Sequence, residues 1–161
     1  MGKIKILLAC VLLFTVICGY SQKNTLGLNF GLSQFTGGFG GNIEYFVGDY
    51  FSLTAGLGLN ETFSDTYWAV GVKGYVEPEE NSLYGGVCYS PITKVETTTD
   101  GITATQEYYG PTAIAGYRIR LAERTALSLG VGFNYIMDKP EGLGYETVNL
   151  SYEITAGFEL N

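Results

Sequence analysis

Apolar residues recur at every second position through most of this chain, and that period constrains the fold more than any other feature. In segment 25–33, leucine and phenylalanine alternate with glycine, asparagine and serine. Successive side chains of a β-strand point to opposite faces of a sheet, so a period of two indicates a strand. The same alternation is equally regular in segments 51–60, 127–135 and 148–160.

Weaker alternation between these segments brings the number of predicted strands to eight. The weaker strands cover residues 41–47, 66–76, 82–92 and 107–121. No stretch is predicted as a helix. Three connections are short (48–50, 77–81 and 122–125), and four are longer (36–40, 60–65, 93–106 and 137–146). Short turns at one rim and longer loops at the other are typical of bacterial outer-membrane barrels. The sequence therefore predicts an all-β fold, an eight-stranded antiparallel up-and-down transmembrane barrel.

The residues on the face opposite the apolar one distinguish a membrane barrel from a soluble barrel. That face carries glycine, serine, asparagine and threonine, whereas a water-facing strand usually carries charged residues. Small residues suit the narrow interior of an eight-stranded barrel. The apolar face has no charge in the four most regular segments, as a lipid-facing surface requires. The alternative is a soluble exported protein of the lipocalin type, whose apolar face would point inward around an apolar ligand.

Charged residues within the strands are few, and the alternation places most of them on the small-residue face. Three acids and three bases fall there: Glu44, Lys73, Arg118, Arg120, Glu153 and Glu159. Because buried charges need partners, we expect a salt-bridged interior rather than a wide pore. For Arg120 and Glu159 the alternative is that they only meet water at a rim. Cys88 is also predicted to face inward, as an inert thiol.

Aromatic residues cluster near the predicted strand ends, which favours two aromatic girdles at the membrane interfaces. Those toward the long-loop rim are Tyr67, Trp68, Tyr108, Tyr109, Phe133, Tyr135 and Tyr145. Those toward the short-turn rim are Tyr45, Tyr50, Phe51, Tyr75 and Phe158. The alternative explanation is the general preference of strands for aromatic residues.

Residues 1–21 are predicted to be a cleaved secretory signal peptide, which leaves residues 22–161 as the barrel domain. Lys3 and Lys5 precede an apolar run over residues 6–18, and the small residues Gly19 and Ser21 follow. This is the pattern of an export signal. The run is too short to span a bilayer as a helix, which takes about 20 residues. The alternatives are a buried core helix and a lipoprotein signal. For a lipoprotein signal, the residue before Cys18 fits poorly, whereas the residues before Cys10 fit locally but only four residues separate Cys10 from Lys5.

Several function classes are excluded by composition. The chain has no histidine and a formal net charge of -7. Without histidine, a Ser-His-Asp or Cys-His nucleophile pair is impossible, and a zinc site would lack imidazole ligands. The negative charge argues against nucleic acid, which needs a basic surface. The glycine run at 37–41 precedes no helix and is predicted to be a flexible loop. We therefore expect no enzyme and no catalytic, cofactor-binding or metal-binding residues.

The longest connection, 93–106, is predicted to be a hairpin rather than an irregular loop. It is rich in threonine, which favours strands, and has Asp100-Gly101 near its middle. Asp-Gly favours a two-residue hairpin turn. Strands five and six would then extend beyond the membrane and present a strand edge to a partner. The alternative is a mobile, solvated loop.

The signal, the eight alternating segments and the glycine-rich face together resemble the small outer-membrane β-barrel family, which includes the OmpA transmembrane domain and OmpX-like proteins. The junction of Ser21 and Gln22 is similar to that of Bacteroidetes outer-membrane barrel proteins. One departure is the C-terminus: family barrels commonly end on an aromatic residue, whereas this chain ends at Asn161.

The resemblance implies a location in the cell outer membrane, with membrane lipid and the barrel-insertion machinery as partners. It implies a structural or surface-interaction role, with loops 93–106 and 137–146 as the contact surface for an extracellular partner. The alternative function is a narrow channel for small solutes. Enzymes of this fold rely on a catalytic histidine, so none of their sites carries over to this chain.

Overall fold

The structure, a computed structural model, describes residues 25–59, 65–77, 81–99, 102–137 and 148–160. The predicted signal peptide, residues 1–21, lies outside the described residues. The strands are β1 (Leu26–Ser33), β2 (Gly38–Phe46), β3 (Phe51–Leu59), β4 (Thr66–Tyr75), β5 (Ser82–Thr99), β6 (Ile102–Ala122), β7 (Thr125–Tyr135) and β8 (Val148–Leu160). A three-residue 3-10 turn, Gln34–Thr36, follows β1; we call it the inner turn. In the described part of the chain, no helix is long and apolar enough to cross a membrane.

The eight strands form a closed barrel in chain order. Each strand pairs antiparallel with the next, and β8 returns to pair with β1 from Leu26↔Leu160 to Ser33↔Glu153. Closure leaves no unpaired edge along the body of the sheet, which is the condition for placing a β-sheet in lipid. The predicted all-β, eight-stranded, up-and-down antiparallel barrel is confirmed.

Side chains alternate between the two faces of the barrel as the sequence predicts. The apolar set points outward: Val131 on β7 is 65% exposed and Leu150 on β8 is 71% exposed. Asparagine, serine and threonine of the same strands point inward and are buried. The lipocalin-like alternative requires the apolar face to line the interior, and the observed orientation is the opposite.

The glycine run at 37–41 is mostly strand, and the prediction of a flexible loop there is wrong. β2 begins at Gly38, and Gly40 and Gly41 pair with Gly31 and Phe30 of β1. The backbones approach so closely that a Cβ at Gly40 would lie 2.2 Å from the carbonyl oxygen of Leu57. Glycine therefore permits strand packing at this point. Gly37, with a left-handed φ of 68°, and Gly38, with a φ of 101°, form the turn that leads into β2.

The predicted hairpin at 93–106 is present in the backbone. β5 and β6 are longer than the alternation alone indicated, and their pairing continues to Thr99↔Ile102, with a register shift between Pro91 and Thr93. The predicted turn residues, Asp100 and Gly101, lie outside the described residues. Pairing between β4 and β5 runs only from Tyr75↔Tyr84 to Val70↔Tyr89. The β5–β6 hairpin therefore extends well past the pairing with β4.

Candidate functional site

The interior of the barrel holds the charged side chains, and its central feature is an ion pair that crosses the barrel. Lys73 of β4 and Glu153 of β8 approach to 2.6 Å between Nζ and Oε1, with side chains 1% and 0% exposed. The second carboxylate oxygen of Glu153 accepts a hydrogen bond of 3.0 Å from the Tyr84 hydroxyl. Thr155 donates a further bond to Oε1 at 3.2 Å. Such additional hydrogen bonds help to offset the cost of removing both charges of a buried ion pair from water.

Glu44 of β2 forms a second buried polar cluster, built from neutral donors. The hydroxyls of Ser52 and Tyr75 donate to Oε1, each at 2.5 Å. The side-chain amide of Asn29 donates to Oε2 at 3.0 Å. Hydrogen bonds to a charged group are about twice as strong as neutral ones, so this cluster ties β1, β3 and β4 to β2 from the inside.

A third cluster lies near the short-turn rim and is centred on Glu159 of β8. Arg118 and Arg120 of β6 both reach its carboxylate, at 2.5 Å and 2.7 Å. Arg118 is buried, and its guanidinium lies 5.3 Å from the ring centroids of both Phe46 and Tyr75. The predicted salt-bridged interior is therefore confirmed for the clusters of Glu153 and Glu159, whereas Glu44 is held by neutral hydrogen-bond donors. The alternative, that Arg120 and Glu159 only meet water, is wrong.

The inner turn folds into the barrel, a position that the alternation of the strands does not predict. Phe35 is 0% exposed, and Lys73 Nζ lies 4.6 Å from its ring centroid. A Cβ at Gly86 would lie 2.7 Å from the Phe35 ring, and one at Gly56 would lie 2.1 Å from its carbonyl oxygen. Extending the alternation of β1 beyond the end of the strand could have indicated this position. Phe35 lies two residues after the inward-facing Ser33, so continuing the period of two directs its ring inward.

Aromatic side chains fill the rest of the cross-section. The Tyr75 ring lies 5.7 Å from that of Phe46 and 5.8 Å from that of Tyr84, centroid to centroid. Tyr84 crosses the interior above two glycines, Gly116 and Gly130, where an added Cβ would lie 2.6 Å from its hydroxyl oxygen. These inward glycines are therefore contact sites for a large side chain that lies across the neighbouring strands, and the interior is packed with side chains.

The predicted aromatic girdles are only partly correct. Tyr67, Tyr75 and Tyr108 are buried, because each has inward parity on its strand, so their assignment to the girdles was wrong. The exposed members are Trp68, Phe133 and Tyr135 toward one rim and Tyr50, Phe51 and Phe158 toward the other. Tyr45 and Tyr109 are half-buried. Trp68 forms one outer aromatic cluster with Tyr89 and Tyr109. Its ring centroid lies 6.2 Å from that of Tyr89 and 6.1 Å from that of Tyr109, and the two tyrosine centroids are 6.3 Å apart. Tyr145 lies outside the described residues.

Cys88 faces inward as predicted, is buried and forms no disulfide. Among the described residues, no group of three histidine, cysteine, aspartate or glutamate side chains is arranged to hold a metal ion. The expected absence of catalytic, cofactor-binding and metal-binding residues stays a prediction. The geometry shows ion pairs and hydrogen bonds that join opposite walls of the barrel.

Comparison with known proteins yields one structural match. No protein-family model matches the chain, and no curated protein matches its sequence. Among solved structures, the crystal structure of the N-terminal β-barrel domain of Pseudomonas aeruginosa OprF is similar, with a TM-score of 0.62 and 13% sequence identity. The match covers 86% of this chain and 98% of that domain. The chain therefore has the fold of the OprF N-terminal barrel.

Proposed function

We propose that this protein is a small integral outer-membrane β-barrel of the OmpA-like and OmpX-like kind, including its Bacteroidetes members. The observation that carries the proposal is the inverted distribution of polarity. Large apolar side chains cover the outside, while Lys73, Glu44 and Glu153 are buried inside. Soluble proteins rarely expose such a continuous apolar surface. A lipid bilayer requires it, together with a closed sheet that satisfies every backbone group.

Strand length agrees with this placement. A tilted transmembrane strand needs about 9 to 11 residues, and β2, β3, β4 and β7 contain 9 to 11 residues each. With periplasmic termini, the β5–β6 hairpin and the connection from 137 to 146 would lie at the cell surface. Residues 138–147 of that connection are outside the described residues.

Within the membrane we propose a structural and surface-interaction role, without enzymatic activity. The filled interior supports this role over the alternative of a narrow solute channel, because Phe35, Tyr84 and the Lys73–Glu153 pair occupy the cross-section. A steady single-channel conductance of the reconstituted wild-type protein in planar bilayers would favour transport instead. The partners we propose are membrane lipid, the barrel-insertion machinery and an extracellular partner that contacts 93–106 and 137–146.

Cell fractionation combined with heat-modifiable gel mobility tests the membrane placement. The protein is expected in the outer-membrane fraction and to migrate differently before and after boiling, because a closed barrel keeps its fold in cold detergent. Recovery in the soluble fraction without detergent would contradict the proposal. A barrel that fractionates with membranes but shows no mobility shift would count against closure in the native protein.

Deletion of residues 97–103 tests the surface role of the hairpin. The deletion removes the hairpin end, which pairs within itself and not with β4 or β7, and loop length contributes little to stability. We therefore expect unchanged membrane assembly and heat mobility, with loss of adhesion between cells or to a surface partner. If adhesion were equal in deletion and wild-type strains, the hairpin would not be the contact surface.

A further inference from the structure

The inner turn is closed by its own short-range hydrogen bonds. The Phe35 amide donates to the Ser33 hydroxyl at 3.0 Å, and the Thr36 hydroxyl donates to the Ser33 carbonyl at 2.9 Å. The amide of Gly37 closes the turn onto the carbonyl of Gln34 at 3.2 Å. Across the barrel, the Ser90 hydroxyl of β5 donates to Gln34 Oε1 at 3.1 Å.

The wall opposite the inner turn is shaped to receive it. Gly56 and Gly58 of β3 lie against its backbone, and a Cβ at Gly58 would lie 2.4 Å from the Thr36 carbonyl oxygen. Gly86 of β5 lies against the Phe35 ring, with a Cβ there 2.7 Å from Cζ. Lys73 adds a cation–π contact at 4.6 Å from the ring centroid. These residues form a ring-binding seat that the chain's own phenylalanine occupies.

Cys88 lies directly beside this seat. Its neighbours of the same parity on β5 are Gly86, which contacts the Phe35 ring, and Ser90, which bonds to Gln34. Cys88 and Phe35 belong to the same buried apolar cluster. Toward the short-turn rim, the interior is filled by Tyr75, Phe46 and Arg118. A reagent entering from the long-loop mouth therefore meets the inner turn before it reaches the thiol.

We propose that the inner turn is a plug: the Phe35 ring anchors the turn in its glycine-lined seat, and the anchored turn closes the barrel interior to water from the long-loop mouth. When the ring leaves the seat, the interior from Cys88 to the Lys73–Glu153 pair becomes accessible from that mouth. The proposal depends on the observed barrel interior and not on the role of the surface hairpin, so the two can fail separately.

The natural thiol of Cys88 provides the test. The full chain, folded in detergent micelles and verified by heat-modifiable mobility, is treated with a small cationic methanethiosulfonate reagent, and modification of Cys88 is followed by peptide mass mapping. Wild-type Cys88 is expected to react slowly. The Phe35→Ala variant is expected to react at least tenfold faster, because loss of the ring from the seat beside Cys88 releases the inner turn that lies between the thiol and the long-loop mouth.

A second variant unseats the ring without deleting it, and a matched control differs from it by one position. Gly86→Ala is expected to accelerate labelling, since its Cβ would meet the ring at 2.7 Å. Gly85→Ala places its Cβ on the outer face, where the nearest atom is 3.9 Å away, and is expected to label at the wild-type rate. Phe39→Ala, an outward phenylalanine of the same region that is 50% exposed, should also match wild type.

Wild-type rates in both folded variants would overturn the plug, as would a wild-type Cys88 that reacts as fast as in unfolded protein. If Phe35→Ala does not fold, the rates of Cys88 modification in Gly86→Ala and in the wild-type protein decide whether the inner turn is a plug. Recovery of the chain as a soluble barrel would contradict the membrane proposal but would leave this measurement intact.

Discussion

Replacing Lys73 by methionine is expected to destabilise the barrel by about 3 to 5 kcal/mol, which is the loss found when one partner of a buried ion pair is removed. Methionine keeps an unbranched apolar stem but removes the ammonium group, and with it the ion pair and the cation–π contacts with the Phe35 and Tyr84 rings. The Glu153 carboxylate, 0% exposed, would keep only hydroxyl donors. The measurement is urea unfolding in lipid or detergent, followed by the fluorescence of the single tryptophan.

The double variant Lys73→Met with Glu153→Gln separates the loss of the pair from the burial of an unpaired charge. Most of the loss on breaking a buried pair comes from the uncompensated charge. Glu153→Gln removes that charge and keeps a carbonyl oxygen that can accept from Tyr84 or Thr155, so the double variant should recover most of the stability that Lys73→Met loses. If Lys73→Met unfolds at the same urea concentration as wild type, the ion pair does not stabilise the folded barrel.

Leu129→Arg is expected to impair membrane assembly by about 2 to 4 kcal/mol, the range measured for basic residues at the midplane of such barrels. Leu129 lies in the middle of β7, points outward with 40% exposure, and pairs with Ile154 and Tyr117 of the neighbouring strands. An arginine there would place its charge in hydrocarbon. The measurement is the fraction of protein that reaches the heat-modifiable form in vesicles, as a function of urea concentration.

Leu121→Arg is the matched control for the lipid face. Leu121 is 66% exposed on the same outward face but lies near the end of β6 at the short-turn rim. At the interface the cost of arginine falls to about 0 to 1 kcal/mol. A soluble barrel would tolerate both substitutions, and equal assembly of both variants and wild type would contradict the membrane assignment.

The alternation in the sequence predicts which face each strand residue occupies, but not which residue it meets across the interior. Parity places Lys73 and Glu153 inside, yet they are 80 residues apart. Their meeting depends on the register of all the intervening strands and on the tilt of the barrel. The position of Tyr75 near the end of its strand predicts a place in the aromatic girdle at the rim. The alternation instead directs its side chain inward, where its hydroxyl donates to Glu44.

The inner turn escaped prediction for a different reason. The period of two stops at Ser33, and beyond a strand end no periodicity indicates whether a connection folds outward or inward. The glycines at positions 56, 58 and 86 are the inward counterpart of Phe35, but small residues on that face fit any narrow interior equally well. Only the three-dimensional arrangement shows that these particular glycines contact the turn.

The interior ion pairs also bear on the order of assembly. The two acids of β8, Glu153 and Glu159, neutralise bases that belong to β4 and β6. Until the last strand docks, Lys73, Arg118 and Arg120 face an interior without these counterions, and a partly closed sheet must leave them hydrated. Contacts between residues so distant in the chain form late and slow the folding of β proteins. We therefore expect expulsion of water from the interior to be coupled to closure of the sheet, because β8 supplies both the closing strand and these counterions.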